Sequence, residues 1–359
     1  MAAENLRVAI TGATGNVGTA LVQALARDPA VGSIIGIARR RPEWSPPKTT
    51  WIQADIGTDR DAELADAFAG ADAVVHLAWL IQPSRDPAVT WTTNVLGSLR
   101  VWGAAAAAGV PALVHASSVG AYSPGPKDRA VDESWPTHGW PQAAYCREKS
   151  YLERALDTFE RDHPSMRVVR MRPGFIFRRH TAAQQRRLFA GPFLPGPLVR
   201  PGLIPVLPDV RGLVFQAVHG EDAAAAYRLA VLGDAAGAFN IAAPPVIDAR
   251  LLAELLGARV VRVPRAAARA AAASAWRLRL TPAAPQLFDA VVRLPVMDTG
   301  RARDVLGWEP RHSGTDAVAE FLHGLRQGGA GAGLPTPPLD PHLPGGRLRE
   351  LATGVGRRP

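Results

Sequence analysis

The chain has 359 residues, 47% of them hydrophobic and 20% charged. That is enough to bury a large core and too long for one small module. A mean hydropathy near zero argues against an integral membrane protein, and the longest uncharged stretch, Val101–Pro126, is broken by Gly103, Gly109, Pro111, Gly120, Pro124 and Gly125. The single cysteine, Cys146, excludes an intrachain disulfide and a cysteine metal cluster. The net charge of +9 comes almost wholly from arginine, since the only lysines are Lys48, Lys127 and Lys149. No basic–aromatic motif accompanies that charge, so nucleic-acid binding is not expected. The opening MAAENLRVAI carries Glu4 and Arg7 and no apolar signal core, and reads as the start of a cytoplasmic protein.

Short apolar runs alternate with helical patterns from the start. Arg7–Thr11 reads as a strand, Val17–Arg27 as a helix, and Ser33–Ile37 and Thr50–Ala54 as strands. Asp61–Ala69 follows as a helix, Ala73–Leu77 as a strand, Ala88–Ala108 as a long helix and Ala112–Ala116 as a strand. Continuous apolar strands separated by helices predict a parallel sheet covered on both faces. Ala143–Glu160 is a further helix and Arg167–Met171 a further strand. Residues 173–212 are rich in proline and glycine with little periodicity, which predicts an irregular smaller lobe. Asp222–Leu232 reads as a helix and Ala238–Ala242 as a strand. Ala249–Leu256, Arg265–Leu278, Pro285–Arg293 and Thr315–Arg326 read as helices. The alanine-rich third-last of these lacks a large apolar face and predicts an ordinary packed helix, not a membrane-surface one. From Gln327 onward the chain is rich in Gly, Pro and Arg, and predicts a flexible tail.

Thr11-Gly12-Ala13-Thr14-Gly15-Asn16-Val17-Gly18 joins the first strand to the first helix. Small residues there let the backbone turn sharply and approach a pyrophosphate, which the free N–H groups of the helix start can bind. The second strand runs into Ala38-Arg39-Arg40-Arg41 with no acidic residue before Glu43. An acidic residue there would bind ribose hydroxyls, whereas Arg39 and Arg40 can pair a 2′-phosphate. This favours NADP(H), with NAD(H) as the alternative. A solvated arginine run would look the same.

Tyr145-Cys146-Arg147-Glu148-Lys149 places Tyr145 and Lys149 four apart on one helix face. With four tyrosines in the chain and so few lysines, chance gives that spacing only about 0.03 times. A tyrosine is a poor base at neutral pH, and a nearby ammonium lowers its pKa. Ser117 and Ser118 follow the strand Ala112–Ala116, at the carboxyl edge of the sheet, where a hydroxyl can bond a substrate oxygen. Cys146, at i+1, points away from Tyr145 and reads as packing. His76 and His115 have no third ligand at suitable spacing, so no metal site is expected.

Together these residues resemble the extended short-chain dehydrogenase/reductase superfamily, the group of NAD-dependent epimerases and dehydratases, over about residues 6–325. Thr11–Gly18 is similar to its glycine motif, Asp55-Ile56 to the adenine contact, and His76-Leu77-Ala78-Trp79 to its fourth-strand motif. Asn94 resembles the asparagine that supports the proton relay, and Ser118, Tyr145 and Lys149 the catalytic triad. Counting back from Tyr122 favours Ser118 over Ser117. Arg172-Pro173-Gly174 matches the loop beside the nicotinamide, and His219-Gly220-Glu221-Asp222 and Leu306-Gly307-Trp308 match later landmarks. The resemblance implies an α/β fold: a Rossmann-type doubly wound parallel sheet with a smaller mixed C-terminal substrate lobe. The expected division is a dinucleotide-binding domain over 1–172 with returning segments at about 213–242, a lobe of 173–212 and 243–326, and the tail 327–359.

The implied cofactor residues are Gly12, Thr14, Gly15, Asn16, Val17, Gly18, Arg39, Arg40, Asp55, Ile56, Leu77, Ala78, Trp79, Tyr145, Lys149, Pro173 and Gly174. The implied activity is hydride transfer at an alcohol or carbonyl, with Tyr145 moving the proton, Lys149 lowering its pKa and Ser118 orienting the oxygen. Sugar 4,6-dehydratases carry Thr-Asp-Glu where this chain has Ser118-Val119-Gly120, so dehydration is not expected. Sugar-nucleotide epimerases carry an arginine where this chain has Phe215. Trp79, Ser117, Ser118, Tyr122, His138 and Trp140 are the candidate substrate residues, with Trp135 a further part of an aromatic wall. A nucleotide-sugar epimerase and a non-catalytic cofactor sensor are the alternatives. A homodimer through Ala88–Ala108 and Ala143–Glu160 is expected, with a small-molecule substrate and no membrane.

Overall fold

A computed structural model describes residues 5–58, 61–82, 84–189 and 199–327. The predicted tail lies, beyond Gln327, outside the described residues. The central feature is a seven-stranded, wholly parallel sheet. Its order is Gly237–Ile241, Arg167–Pro173, Ala112–Ala116, Ala73–His76, Leu6–Thr11, Val31–Ala38 and Thr49–Gln53.

Alternation along each strand explains why the sheet is buried on both sides. Val8 and Ile10 enter one core and Ala9 the other; Val75 and Val74, Val114 and Leu113, Val169 and Val168 divide in the same way. Helices Asn16–Ala26 and Gly220–Leu232 pack on each other over the first core. Asp61–Phe68, Gly97–Ala107 and Ala144–Asp162 cover the second. The chain leaves the first strand in one direction and resumes on its other side at the fourth. That reversal opens a crevice at the carboxyl ends of Leu6–Thr11 and Ala73–His76, where ligands bind in such sheets.

Most predicted elements are present within one to three residues of the expected ends. Two expectations need correction. The long helix expected over Ala88–Ala108 is Pro87–Trp91 and Gly97–Ala107 joined by a π-helical turn, Thr92–Leu96. Hydrophobic periodicity does not register one widened turn. The stretch 173–212, expected to be irregular, holds strands Phe175–Phe177 and Val206–Asp209 and helix Ala182–Phe189. These elements are too short to show a period, and their partners are distant in sequence. Phe175–Phe177 joins Phe215–His219 and Ala243–Ile247 in a three-stranded sheet, and Val206–Asp209 pairs with Arg259–Arg262. A separate core of Ala217, Ile247, Leu256, Val318 and Leu322 lies beneath them.

The glycine loop is held by backbone contacts. Gly12 has φ +70°, and a Cβ there would lie 2.6 Å from the Ala78 nitrogen. A Cβ on Gly18 would lie 2.3 Å from the Gly12 oxygen, so the helix can approach the loop only without a side chain. Gly18→Ala should therefore shift the loop and destabilise the fold by about 1–3 kcal/mol. Urea denaturation of the variant measures this directly; an unchanged midpoint would show that the loop yields freely.

Candidate active site

The crevice brings together the glycine loop, the end of the fourth strand, the end of the fifth strand and the start of helix Ala144–Asp162. Leu77 N–H donates to the Thr11 carbonyl at 3.1 Å, and Thr11 Oγ1 lies 2.6 Å from His76 Nδ1. His76 Nε2 in turn contacts Ser98 Oγ at 2.8 Å. Burial, then the Lys149 charge, holds His76 down to about 3, so it is a neutral strut between strand and helix. His115 is buried beside it with ring centroids 5.4 Å apart, and burial also holds it well below its usual range.

Ser118 and Tyr145 meet. Ser118 caps a short turn by accepting the Gly120 N–H at 3.0 Å, and its hydroxyl acts to lower the pKa of the Tyr145 phenol. Gly120 makes this possible, because a Cβ there would lie 2.7 Å from Tyr145 Cε1. Burial pushes Tyr145 up to about 12, against the lowering effect of Ser118. Lys149 is placed differently from the expectation. Its Nζ donates to the Ala116 carbonyl at 2.6 Å and sits 3.3 Å from the Trp79 ring centroid, but 6.0 Å from the Tyr145 ring. Burial brings Lys149 down to about 7, against the raising effects of Glu148 and Glu153. Trp79 takes the Lys149 ammonium on its ring face and stands edge-on to Tyr145 at 5.7 Å.

Asn94 lies in the π turn, fully buried. Its side chain accepts Leu80 N–H at 2.7 Å and donates to Leu80 O at 2.8 Å and to Glu148 Oε2 at 2.7 Å. Thr90 donates to the other Glu148 oxygen at 2.6 Å. Asn94 therefore fixes the segment that carries Trp79, rather than touching Tyr145. Glu148 had no signal in the sequence beyond being one more charged residue on a helix.

Several candidates are engaged elsewhere. Ser117 donates to Glu153 Oε1 at 2.5 Å. Tyr122 donates to Asn240 Oδ1 at 2.7 Å and receives Arg172 at 2.9 Å. His138 is exposed and its backbone N–H meets Ser123. Trp135 packs with Val119, Tyr122 and Leu294. Trp140 and Tyr145 pack against one cluster of Ala143, Cys146 and Ala290. The indole nitrogens of Trp79 and Trp140 are buried without a protein partner. Burial pushes the Cys146 thiol up to about 12, in keeping with a packing role.

The cofactor candidates divide similarly. Thr14, Gly15, Asn16 and Val17 keep some solvent access at the crevice. Asn16 also binds outward, accepting from Thr181 and donating to the Ile176 carbonyl. Asp55 receives Gly57 N–H, and Ile56 packs under Gly97, where a Cβ would lie 2.8 Å from the Ile56 oxygen. Pro173 ends its strand, and Gly174 is spent on a close approach to the Gln216 carbonyl. Arg39 is partly buried and Arg40 exposed just beyond Val31–Ala38.

The frame of the site is a buried ion pair that the sequence did not reveal. Arg172 bonds both Glu153 oxygens at 2.8 Å, and Arg170 reaches the same carboxylate at 3.2 Å. Burial alone would raise Glu153; Arg172, Ser117 and Arg170 outweigh it and hold the carboxyl down to about 2.

The glycine loop at the first strand–helix junction and the crevice beside it are the setting in which similarity to known proteins identifies the family. The sequence profile of the NAD dependent epimerase/dehydratase family matches residues 8–191, and the chain belongs to that family. An uncharacterized protein of Mycobacterium tuberculosis is 28% identical over 324 residues, covering 89% of this chain and 30% of its own length. The chain thus spans less than a third of that relative. A Stigmatella aurantiaca protein, 4-hydroxy-2-methyl-3-oxo-4-farnesyl-3,4-dihydroquinoline-1-oxide ketoreductase, is 31% identical over 48% of this chain and 51% of its own. UDP-glucose 4-epimerase of Thermus thermophilus, solved with NAD, superposes with a TM-score of 0.67 at 20% identity, covering 89% of this chain and 99% of its own. No helix among the described residues is long and apolar enough to cross a membrane.

Glu153→Gln should cost about 3 kcal/mol at neutral pH, because two arginines lose their buried counter-charge. The folded carboxyl titrates near 2, below its unfolded value of 4.5. Its contribution is therefore complete above about pH 4.5 and lost as pH falls toward 2. Thermal unfolding of both proteins across that window should show the gap between them closing; a constant gap would contradict the ion pair.

Proposed function

We propose that this chain is a nicotinamide-dependent oxidoreductase that transfers hydride reversibly at a secondary alcohol or carbonyl of an apolar small molecule. The observation that carries this reading is the convergence of Ser118 and Tyr145 around Gly120, with Trp79 and Trp140 packed about the tyrosine. The residues suit the cofactor. A Cβ on Gly15 would meet only the Gly12 oxygen, at 3.2 Å, so the chain's own packing leaves that face nearly open. The helix start has no side-chain cap and no acidic residue in its first turn, which favours a phosphate. The Gly12–Gly18 loop, Asp55–Ile56, Leu77–Trp79 and the Pro173–Gly174 turn would hold the cofactor. When bound, it supplies or accepts the hydride.

The chain's own part is proton control. With its phenol near 12, Tyr145 is protonated at neutral pH and is poised to donate to a substrate oxygen, which favours carbonyl reduction. Ser118 orients that oxygen. Trp79 and Trp140 exclude water and offer two indole N–H donors to the substrate. The ketoreductase relative, whose named compound carries a farnesyl group, supports an apolar carbonyl substrate. The nicotinamide form stays within this proposal: Arg39 and Arg40 favour NADP(H), while the family description and the solved neighbour support NAD(H).

One observation favours a nucleotide-sugar epimerase instead. Arg293 stacks on Trp140 at 4.1 Å, and Arg269 and Arg293 share Asp289, so an anionic group would meet net positive charge there. Against it, Phe215 stands where epimerases carry an arginine and packs on Phe175 at 5.1 Å. We further propose the two-lobed division described above and a homodimer through the helices that expose Leu96 and Tyr151. Light scattering at micromolar concentration should give twice the chain mass; a monomer would exclude the dimer.

Tyr145→Phe should lower NAD(P)H-dependent reduction of apolar ketones by about 10²–10⁴-fold while leaving calorimetric NAD⁺ and NADP⁺ affinities nearly unchanged. Unchanged turnover would remove Tyr145 from the chemistry. Binding of UDP- or dTDP-sugars with no net cofactor turnover would establish the epimerase reading. In the same titrations Arg39→Ala should weaken NADP⁺ selectively.

A further inference from the structure

Two histidines and two carboxylates meet where the end of strand Phe215–His219 faces helix Gly314–Arg326. His219, Asp222 and His312 each offer one ligand atom within 4.8 Å of the others. His312 Nδ1 is 3.0 Å from Asp222 Oδ2, and the His219 and His312 rings lie 4.2 Å apart. His219 and Asp222 are 3% and 2% exposed, so water does not serve them freely. Glu320 Oε2 approaches His219 Nε2 to 2.9 Å, yet that nitrogen is buried without an aligned hydrogen bond.

We propose that His219, Asp222 and His312 form a binding site for a divalent cation of the zinc type, with a Glu320 oxygen beside it as a fourth ligand. Two imidazoles and carboxylate oxygens are a donor set that Zn²⁺ accepts in tetrahedral geometry. Binding replaces the proton shared by His312 and Asp222, and the ion contracts the cluster to metal–ligand spacing. The Glu221 N–H to His219 Nδ1 contact, at 3.3 Å, is long and cheap to lose if Nε2 binds. The surroundings hold the ligands in place: His312 N–H donates to Asp222 at 2.9 Å, and Arg179 N–H reaches the other Glu320 oxygen. Arg178, near Glu320 and Glu221, balances part of the negative charge. The role is a clamp joining helix Gly220–Leu232, which covers the large sheet, to helix Gly314–Arg326, which packs on the smaller one. The site is independent of the proposed hydride chemistry.

The test uses the untagged full chain, stripped with a chelator and titrated with Zn²⁺ by calorimetry and with Co²⁺ by visible absorption. One ion per chain, intense tetrahedral Co²⁺ bands and a rise in Tm of about 5 °C at saturating Zn²⁺ are expected. His312→Ala should weaken binding at least about tenfold, whereas His163→Ala, on a distant helix end, should not. If His312→Ala does not fold, His312→Asn replaces it, since its amide can still donate to Asp222. Absence of stoichiometric binding, or equal binding by wild type and the His312 variant, overturns the proposal.

Discussion

The buried Glu153–Arg172 pair is the constraint on which the site depends. Glu153 belongs to the helix that carries Tyr145 and Lys149, and Arg172 to the strand next to the one ending at Ser117 and Ser118. Ser117 bonds the same carboxylate, and Arg172 extends the network to Tyr122 and the Glu133 carbonyl. Asn240, on the outermost strand, closes it through Tyr122 and through its N–H to Glu133. A charge this deeply buried tolerates no other arrangement without stranding a partner. Helix and sheet are thereby locked in one register, and the distance between Ser118 and Tyr145 follows from it.

Around that frame, aromatic packing sets the electrostatics. Trp79 lies over Lys149 and beside Tyr145, so one indole both shields the ammonium and dries the phenol. Desolvation lowers a lysine and raises a tyrosine, which is the direction seen in both. The loop bearing Trp79 is anchored by Asn94 through Leu80, and Asn94 is anchored by Glu148. Gly120 leaves room for the tyrosine ring, so a longer side chain in its place would have to displace that ring. The substitution of Ser118-Val119-Gly120 for an acid–base pair is therefore tied to packing as well as to chemistry.

Membership of the NAD dependent epimerase/dehydratase family accounts for the sheet order, the glycine loop and the position of the crevice. It leaves the substrate side open. Phe175 and Phe215 form an aromatic pair, while Trp140 carries an arginine on its face.

Local sequence by itself determined the strands of the large sheet, the helices between them and the glycine turn. Each depends on a short-range period or on a backbone conformation that few residues adopt. It also placed Tyr145 and Lys149 on one helix face, which follows from helical spacing alone. It could not show that Lys149 turns toward Trp79, that Ser117 and Tyr122 are consumed by a buried network, or that Asn94 grips Leu80 and Glu148. Those outcomes are competitions for hydrogen bonds among residues 14 to 118 positions apart, and only packing decides which partner wins. The short strands of residues 173–212 were hidden for the same reason, since a strand of three or four residues exists only once its distant neighbour is in place. The meeting of His219 and Asp222 with His312, some 90 residues later, is likewise a product of the folded chain, because ligands so far apart carry no spacing that a sequence can display.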